Sequence, residues 1–247
     1  KEGKVKKIIV AGCLSERYKN ELSKELKEVD EFRGVLGLKQ SEPEGLKLTP
    51  GYYAYIKISE GCANRCAYCV IPYLKGNYKS RAMEPIIKEA KQLISQGAKE
   101  LILIGQDTSL YGIDLYGKKK LGDLLKKLAE ISKDVWIRLL YLHPTNLDKE
   151  LLRVIKDNKN ICRYIDLPLE HINDRILNEM RRKTTRKQLV SLIECIRKEI
   201  PGAAIRTSFI VGFPGETEKE FKELMSFVKE MKFERLGGFK YSREEGT

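Results

Sequence analysis

From residue 52 onward the chain alternates short apolar runs with polar loops and amphipathic helices, in a strand-then-helix rhythm. The strand candidates are 52–58, 100–104, 135–141, 163–168, 204–211 and 235–241. The helix candidates between them are 84–96, 121–132, 147–157, 173–181, 186–199 and 218–231. A strand, a helix and a second strand close into a parallel pair through a right-handed crossover, so six such units require an α/β fold with a parallel sheet. The rhythm does not separate an open doubly wound sheet from a barrel. In either case ligands gather at the C-terminal ends of the strands.

Local signals sharpen several elements. Helix 84–96 is expected to start at Pro85, to stack Ile86, Ala90, Leu93 and Ile94 on one face, and to stop at Gly97. Thr185 with Gln188, and Thr217 with Glu220, have capping-box spacing. Phe221, Leu224, Met225, Val228 and Met231 are expected on the core face of the last helix.

The first 32 residues read differently. Residues 6–11 suggest a short buried strand, and 15–28 an amphipathic helix with Ser15 as N-cap and Leu22, Leu26 and Val29 on one face. One strand and one helix cannot bury a core, so this piece must lean on something larger. Residues 33–51 contain Gly34, Gly37, Pro43, Gly45, Pro50 and Gly51, a linker composition. The expected division is therefore 1–32, a linker over 33–51, and a main domain over 52–247.

Directly after the first main-domain strand, Cys62, Cys66 and Cys69 fall within eight residues, with three and then two residues between them. One loop can thus wrap one metal centre with three thiolates and leave a coordination position for a substrate or cofactor. A structural zinc site wants a fourth ligand, and neither His143 nor His171 stands at the needed spacing. A redox pair at Cys66 and Cys69 leaves Cys62 without a role. An iron–sulfur site is the better reading. Six unevenly clustered cysteines point to a reducing compartment and metal ligation, with Cys162 and Cys195 as packing residues. No apolar run reaches membrane-spanning length, and the apolar core around Ile8 is too short for a signal peptide, so the expected address is the cytoplasm.

The other strand ends are polar. Gln106–Asp107–Thr108–Ser109 follows the second strand and could hold the amino and carboxylate ends of a cofactor. His143, beside Pro144, reads as a hydrogen-bonded loop residue. Asp166, Glu170 and His171 crowd the fourth strand end, where carboxylates and an imidazole can bind ribose hydroxyls or substrate. A basic segment containing Arg182 comes next and can meet a carboxylate or phosphate. The fifth strand runs into Gly212–Phe213–Pro214–Gly215, which allows close approach of a flat group such as adenine. No P-loop or dinucleotide fingerprint is present, and two histidines make a hydrolytic triad a poor fit. Lys and Arg total 47 against 35 acidic residues, a net charge of +12 that suits a phosphate-rich partner such as a ribosome or tRNA.

The thiol loop continues as Cys69–Val70–Ile71–Pro72–Tyr73–Leu74–Lys75–Gly76 and then Ser80–Arg81. With Asp166–Leu167–Pro168–Leu169, Gly212–Phe213–Pro214–Gly215–Glu216–Thr217 and the final Tyr241–Ser242–Arg243–Glu244–Glu245–Gly246–Thr247, it resembles the methylthiotransferases of the radical S-adenosylmethionine superfamily. The likeness covers the chain from residue 52. One branch of that family modifies an adenosine in tRNA, the other an aspartate of a small-subunit ribosomal protein. Asp107, where the tRNA branch typically has Asn, and the closing segment are similar to the ribosomal-protein branch.

The resemblance implies a six-unit partial TIM-type barrel preceded by a βα remnant of an N-terminal domain. It implies that Cys62, Cys66 and Cys69 hold a 4Fe–4S cluster whose fourth iron binds S-adenosylmethionine. Cofactor contacts are expected from Tyr68, Gln106, Asp107, Asp166, Glu170, Arg182, Ile210, Gly212 and Tyr241. Reduction by an electron donor would release a 5′-deoxyadenosyl radical that removes hydrogen from the aspartate β-carbon, and sulfur would come from a second 4Fe–4S cluster. Of that cluster's three cysteines only Cys13 has a counterpart here, and no C-terminal β-barrel domain follows. The expectation is a catalytic core cut from a larger enzyme, able to build the radical-generating cluster but not to transfer sulfur. One departure is Glu170, where the family usually has Gln. The readings to be separated from this are a tRNA methylthiotransferase and a non-catalytic, RNA-binding zinc protein.

Overall fold

The structure, a computed structural model, describes residues 5–35 and 50–247. Its elements in order are β1 (Ile9–Ala11), α1 (Cys13–Arg17), α2 (Lys19–Glu25), β2 (Glu31–Arg33), β3 (Tyr53–Lys57), β4 (Ser59–Glu60), α3 (Ile71–Lys75), β5 (Lys79–Ser80), α4 (Met83–Ser95) and β6 (Glu100–Ile104). They continue as α5 (Ile113–Tyr116), α6 (Leu121–Ile131), β7 (Trp136–Leu139), α7 (Lys149–Asp157), β8 (Tyr164–Asp166), α8 (Asp174–Glu179), α9 (Arg186–Glu199), β9 (Ala204–Val211), α10 (Glu218–Met231) and β10 (Arg235–Lys240).

Six parallel strands stand in sequence order. β3, β6 and β7 form one ladder and β8, β9 and β10 another. The two are joined through Ile137, whose N–H donates to the Asn160 carbonyl at 2.8 Å and whose carbonyl accepts from Cys162 N–H at 2.9 Å. Sequential order decides between the two architectures that periodicity allowed. A doubly wound sheet reverses direction at a switch point, whereas a strand row that never reverses keeps its helices on one side and curls. No pairing of β3 with β10 occurs among the described residues, so the arrangement is an open partial barrel.

Alternation along the strands sorts the side chains. Ala54, Ile56, Leu101, Leu103, Ile137, Leu139, Ile165, Ile205 and Phe209 are buried against the helices. Tyr55, Trp136, Arg138, Tyr164 and Arg206 face the opposite, concave side. Each fully buried Leu or Ile adds about 1.5–3 kcal/mol. Both capping boxes form, at Thr185 with Gln188 and at Thr217 with Glu220. No helix among the described residues is long and apolar enough to cross a membrane.

Some expectations change. The first strand is Ile9–Ala11, and its Ile9 and Ala11 are exposed. It pairs in parallel with β2, a strand its short apolar content did not announce. The expected helix 15–28 is two helices broken at Tyr18, and Ser15 lies inside α1, buried, with its hydroxyl on the Val10 carbonyl. Helix α4 begins at Met83, two residues before Pro85. Met225 is exposed, and Phe227 takes the core position. Most of the expected linker, 36–49, lies outside the described residues. The N-terminal unit leans on the main body: Arg17 pairs with Glu244 at 2.8 Å and α1 lies against α3.

Candidate metal and cofactor site

The thiol loop is held at its neck. β4 and β5 pair antiparallel, Ser59 with Ser80 and Glu60 with Lys79. Buried Glu60 accepts from Lys57 at 3.1 Å and Lys75 at 3.0 Å. Burial alone would raise its carboxyl, but the two ammonium groups bring it below the ordinary value. Gly61 sits at φ 75°, and a Cβ there would lie 2.3 Å from the Asn77 carbonyl oxygen, so only glycine closes the loop.

Cys62, Cys66 and Cys69 all line one cavity of about 630 Å³, together with Ala63, Arg65 and Tyr78. All three are free thiols. Burial pushes the Cys62 and Cys69 thiols up, against backbone N–H groups of Asn64 and Ile71 that favour the thiolate. Among the described residues no three Cys, His, Asp or Glu side chains meet closely enough to hold a single metal ion. The donor set, three soft sulfurs on one loop, instead fits a cluster in which each thiolate takes a different iron.

The loop is tied to the strand ends around it. Asn64 donates to Asp107 at 3.0 Å and Asn146 to the same oxygen at 3.4 Å; the other oxygen of Asp107 accepts from the backbone and hydroxyl of Ser109. Burial raises Asp107, and these bonds from Ser109 and Asn64 oppose it. Next to it in sequence the Gln106 Oε1 is buried with no hydrogen-bond partner.

Arg182 is only 8 % exposed. Its Nη2 donates to the Pro168 carbonyl at 2.6 Å and its Nη1 reaches Cys66 Sγ at 3.8 Å, while Nε is unpartnered. Burial works against its charge, yet Tyr68, Cys66 and Glu170 hold it above the ordinary value. Glu170 sits in the left-handed region at φ 71°. Burial raises its carboxyl and Arg182 opposes this. Tyr68, Ile210 and Tyr241 meet around Ile176, Met180 and Phe213, joining the thiol loop to the ends of β9 and β10. Gly212 and Tyr241 also line a separate cavity of about 490 Å³.

The polar residues after β8 do not converge. Both Asp166 oxygens are used inside the protein, by Arg206 at 2.5 Å and the Tyr141 N–H at 2.9 Å. His171 turns away: its Nδ1 accepts from Asn173 N–H at 3.0 Å, so its Nε2 donates to Glu216 at 3.2 Å. Glu216 in turn accepts from Gly212 and Phe213 N–H and shapes that loop. His143 is the hydrogen-bonded loop residue the sequence suggested, 2.7 Å from Thr145. Cys13 is exposed at the start of α1. Sequence reasoning missed Asn64, Glu216 and Arg206 in this network; the alternation along β9 was the signal for Arg206.

Residues 56–228 match the pattern of the Radical SAM superfamily. The chain belongs to that superfamily. It is similar to the ribosomal protein uS12 methylthiotransferase RimO of Clostridioides difficile (strain 630), with 47 % identity over 273 residues covering 100 % of this chain and 61 % of the relative. The protein of the same name from Phocaeicola vulgatus is 46 % identical over 258 residues, with 100 % and 60 % covered. The chain thus spans about three fifths of the length of the curated relatives it matches. Among solved structures, the radical S-adenosylmethionine methyltransferase TsrM of Kitasatospora setae aligns with a TM-score of 0.66 at 17 % identity, over 82 % of this chain and 40 % of that one. Coproporphyrinogen III oxidase (HemN) of Escherichia coli aligns with a TM-score of 0.56 at 14 % identity, over 83 % and 45 %. At these identities the likeness shows the shared fold.

Proposed function

We propose that this chain is the catalytic part of a methylthiotransferase that modifies an aspartate of the small-subunit ribosomal protein uS12. The observation that carries the reading is a three-thiol loop, built at the C-terminal strand ends, in a chain 47 % identical along its whole length to a protein of that name. Cys62, Cys66 and Cys69 hold a 4Fe–4S cluster. When bound, the cluster and S-adenosylmethionine supply one-electron cleavage of a sulfonium and a carbon radical that takes hydrogen from an unactivated C–H bond.

The protein's part is to hold and to seal. Asp107, fixed by Asn64 and Ser109, keeps the thiol loop against the second strand end. Arg182 sets a fixed positive charge beside Cys66. Gln106 offers an acceptor to an ammonium, and the Tyr68–Ile210–Tyr241 wall offers an apolar surface to a base. Glu170 and Gly212 complete the surroundings. In this reading the N-terminal unit, taken as residues 1–32 with Cys13 in it, contributes to a second cluster, and a linker over 33–51 leads to the main domain 52–247. A reducing electron donor and a cytoplasmic address belong to this reading.

A tRNA substrate is the competing case. Anaerobic reactions of the reconstituted protein with S-adenosylmethionine, read by 5′-deoxyadenosine formation, separate the two. Stimulation by uS12 and not by tRNA is expected; stimulation by tRNA alone overturns the proposal.

A further inference from the structure

The concave face of the sheet carries a charged row that the site described so far does not use. Along β9 burial alternates strictly: Ile205, Thr207 and Phe209 are buried toward the helices, while Arg206, Ser208 and Ile210 are half-exposed on the other side. Asp166, Arg206 and Arg235 are neighbours in register on β8, β9 and β10 and therefore point to the same face. The row has one carboxylate against two guanidinium groups.

The members of the row differ in what they can do. Asp166 is fully buried, with one oxygen on Arg206 and the other on the backbone N–H of Tyr141, itself held at φ 60°. Nothing of this carboxylate is left for a ligand. A buried carboxylate is a poor device for stability, because desolvation cancels much of the attraction. What it achieves is to lock a guanidinium in place. Arg206 keeps 40 % of its side chain exposed, and its bond to Asp166 uses Nη1, leaving the Nε and Nη2 donors toward the open face. The other concave-face arginine of the mid-sheet, Arg138, is spent on Glu100 at 2.5 Å and on the ring of Tyr164.

The position suits a substrate. Ile210, two inner-face steps along β9 from Arg206, lies in the apolar cluster with Tyr68 of the thiol loop. Pro168, two residues past Asp166 and just beyond the end of β8, carries the carbonyl that holds Arg182 against Cys66. Along β9 Arg206 lies about 13 Å from Ile210, at roughly 3.3 Å per residue. A fixed guanidinium with a forked donor edge, beside a second guanidinium, is a receptor for a carboxylate.

We infer that Arg206, oriented by Asp166 and supported by Arg235, binds the side-chain carboxylate of the aspartate to be modified and so selects aspartate over its amide. The inference rests on the protein-substrate reading above.

The test is binding of a synthetic uS12 peptide containing the target aspartate, and of the same peptide with asparagine there, to the reconstituted protein with S-adenosylmethionine. The expected result is binding of the aspartyl peptide about ten- to a hundredfold tighter than the asparaginyl one. Arg206→Gln should erase the difference, and Arg206→Lys should restore part of it. Because Arg206→Gln leaves a buried carboxylate unpaired, the double variant Asp166→Asn with Arg206→Gln, which removes both charges, serves as the folded control and should show the same loss. Discrimination that survives in the double variant overturns the receptor while leaving the protein-substrate reading intact. Failure of the unmodified protein to bind either peptide overturns both.

Discussion

His143 is 8 % exposed, and burial, with the nearby charges of Arg182 and Lys183, pushes its imidazole down to about 3. An unfolded chain takes up that proton near the ordinary value of about 6.5. Between these values the unfolded state binds the extra proton, so the contribution is full above pH 6.5 and is lost as pH falls toward 3. At pH 5 this residue should cost about 2 kcal/mol relative to pH 7. Denaturant melts of the protein and of His143→Gln at the two pH values check this: the variant should show that much less loss, and equal losses would contradict it. At this scale the sequence spoke clearly where chemistry is local. Three cysteines in one loop, or Thr185 three residues before Gln188, carry their geometry with them. Asp166 does not, because its partner Arg206 lies 40 residues away and only strand register brings them together. His171 likewise looked like a site residue and serves Glu216 instead.

Helix α10 shows how an element is read almost correctly. Apolar residues at 221, 224, 225, 228 and 231 suggested the core face, but a helix that buries Leu224 buries 227 and 228 and turns 225 outward. Phe227 is fully buried and packs on Phe209 and Phe233 with ring centroids 6.3 and 5.9 Å apart. Phe227→Ala should therefore cost about 3–5 kcal/mol. Met225→Ala, at 41 % exposure, should cost about 0.5 kcal/mol or less. Urea denaturation of the two variants measures the contrast, and similar costs would contradict the assignment of the face. The six main strands and their helices were legible because each buries one periodic face in a repeating context. The N-terminal unit was not: Tyr18 breaks its helix while its hydroxyl bonds Glu245 at 3.1 Å, a contact across the whole chain that no local pattern carries.

For the whole molecule, strand order is the deciding quantity. Periodicity is the same in a doubly wound sheet and a barrel; the row from β3 through β10 without a reversal selects the open barrel and places every strand's C-terminal end on one rim. That rim gathers the thiol loop, Asp107, Arg182 and the Tyr68–Ile210–Tyr241 cluster, while the concave wall below it carries the Asp166–Arg206–Arg235 row. Cys62, Cys66 and Cys69 are proposed to build a 4Fe–4S cluster that binds S-adenosylmethionine. Anaerobic iron and sulfide reconstitution followed by electron paramagnetic resonance of the reduced protein, with and without S-adenosylmethionine, tests it. A 4Fe–4S signal that shifts on adding the cofactor and is lost in Cys66→Ala is predicted; zinc bound at stoichiometry, with no signal and no response to the cofactor, would contradict it.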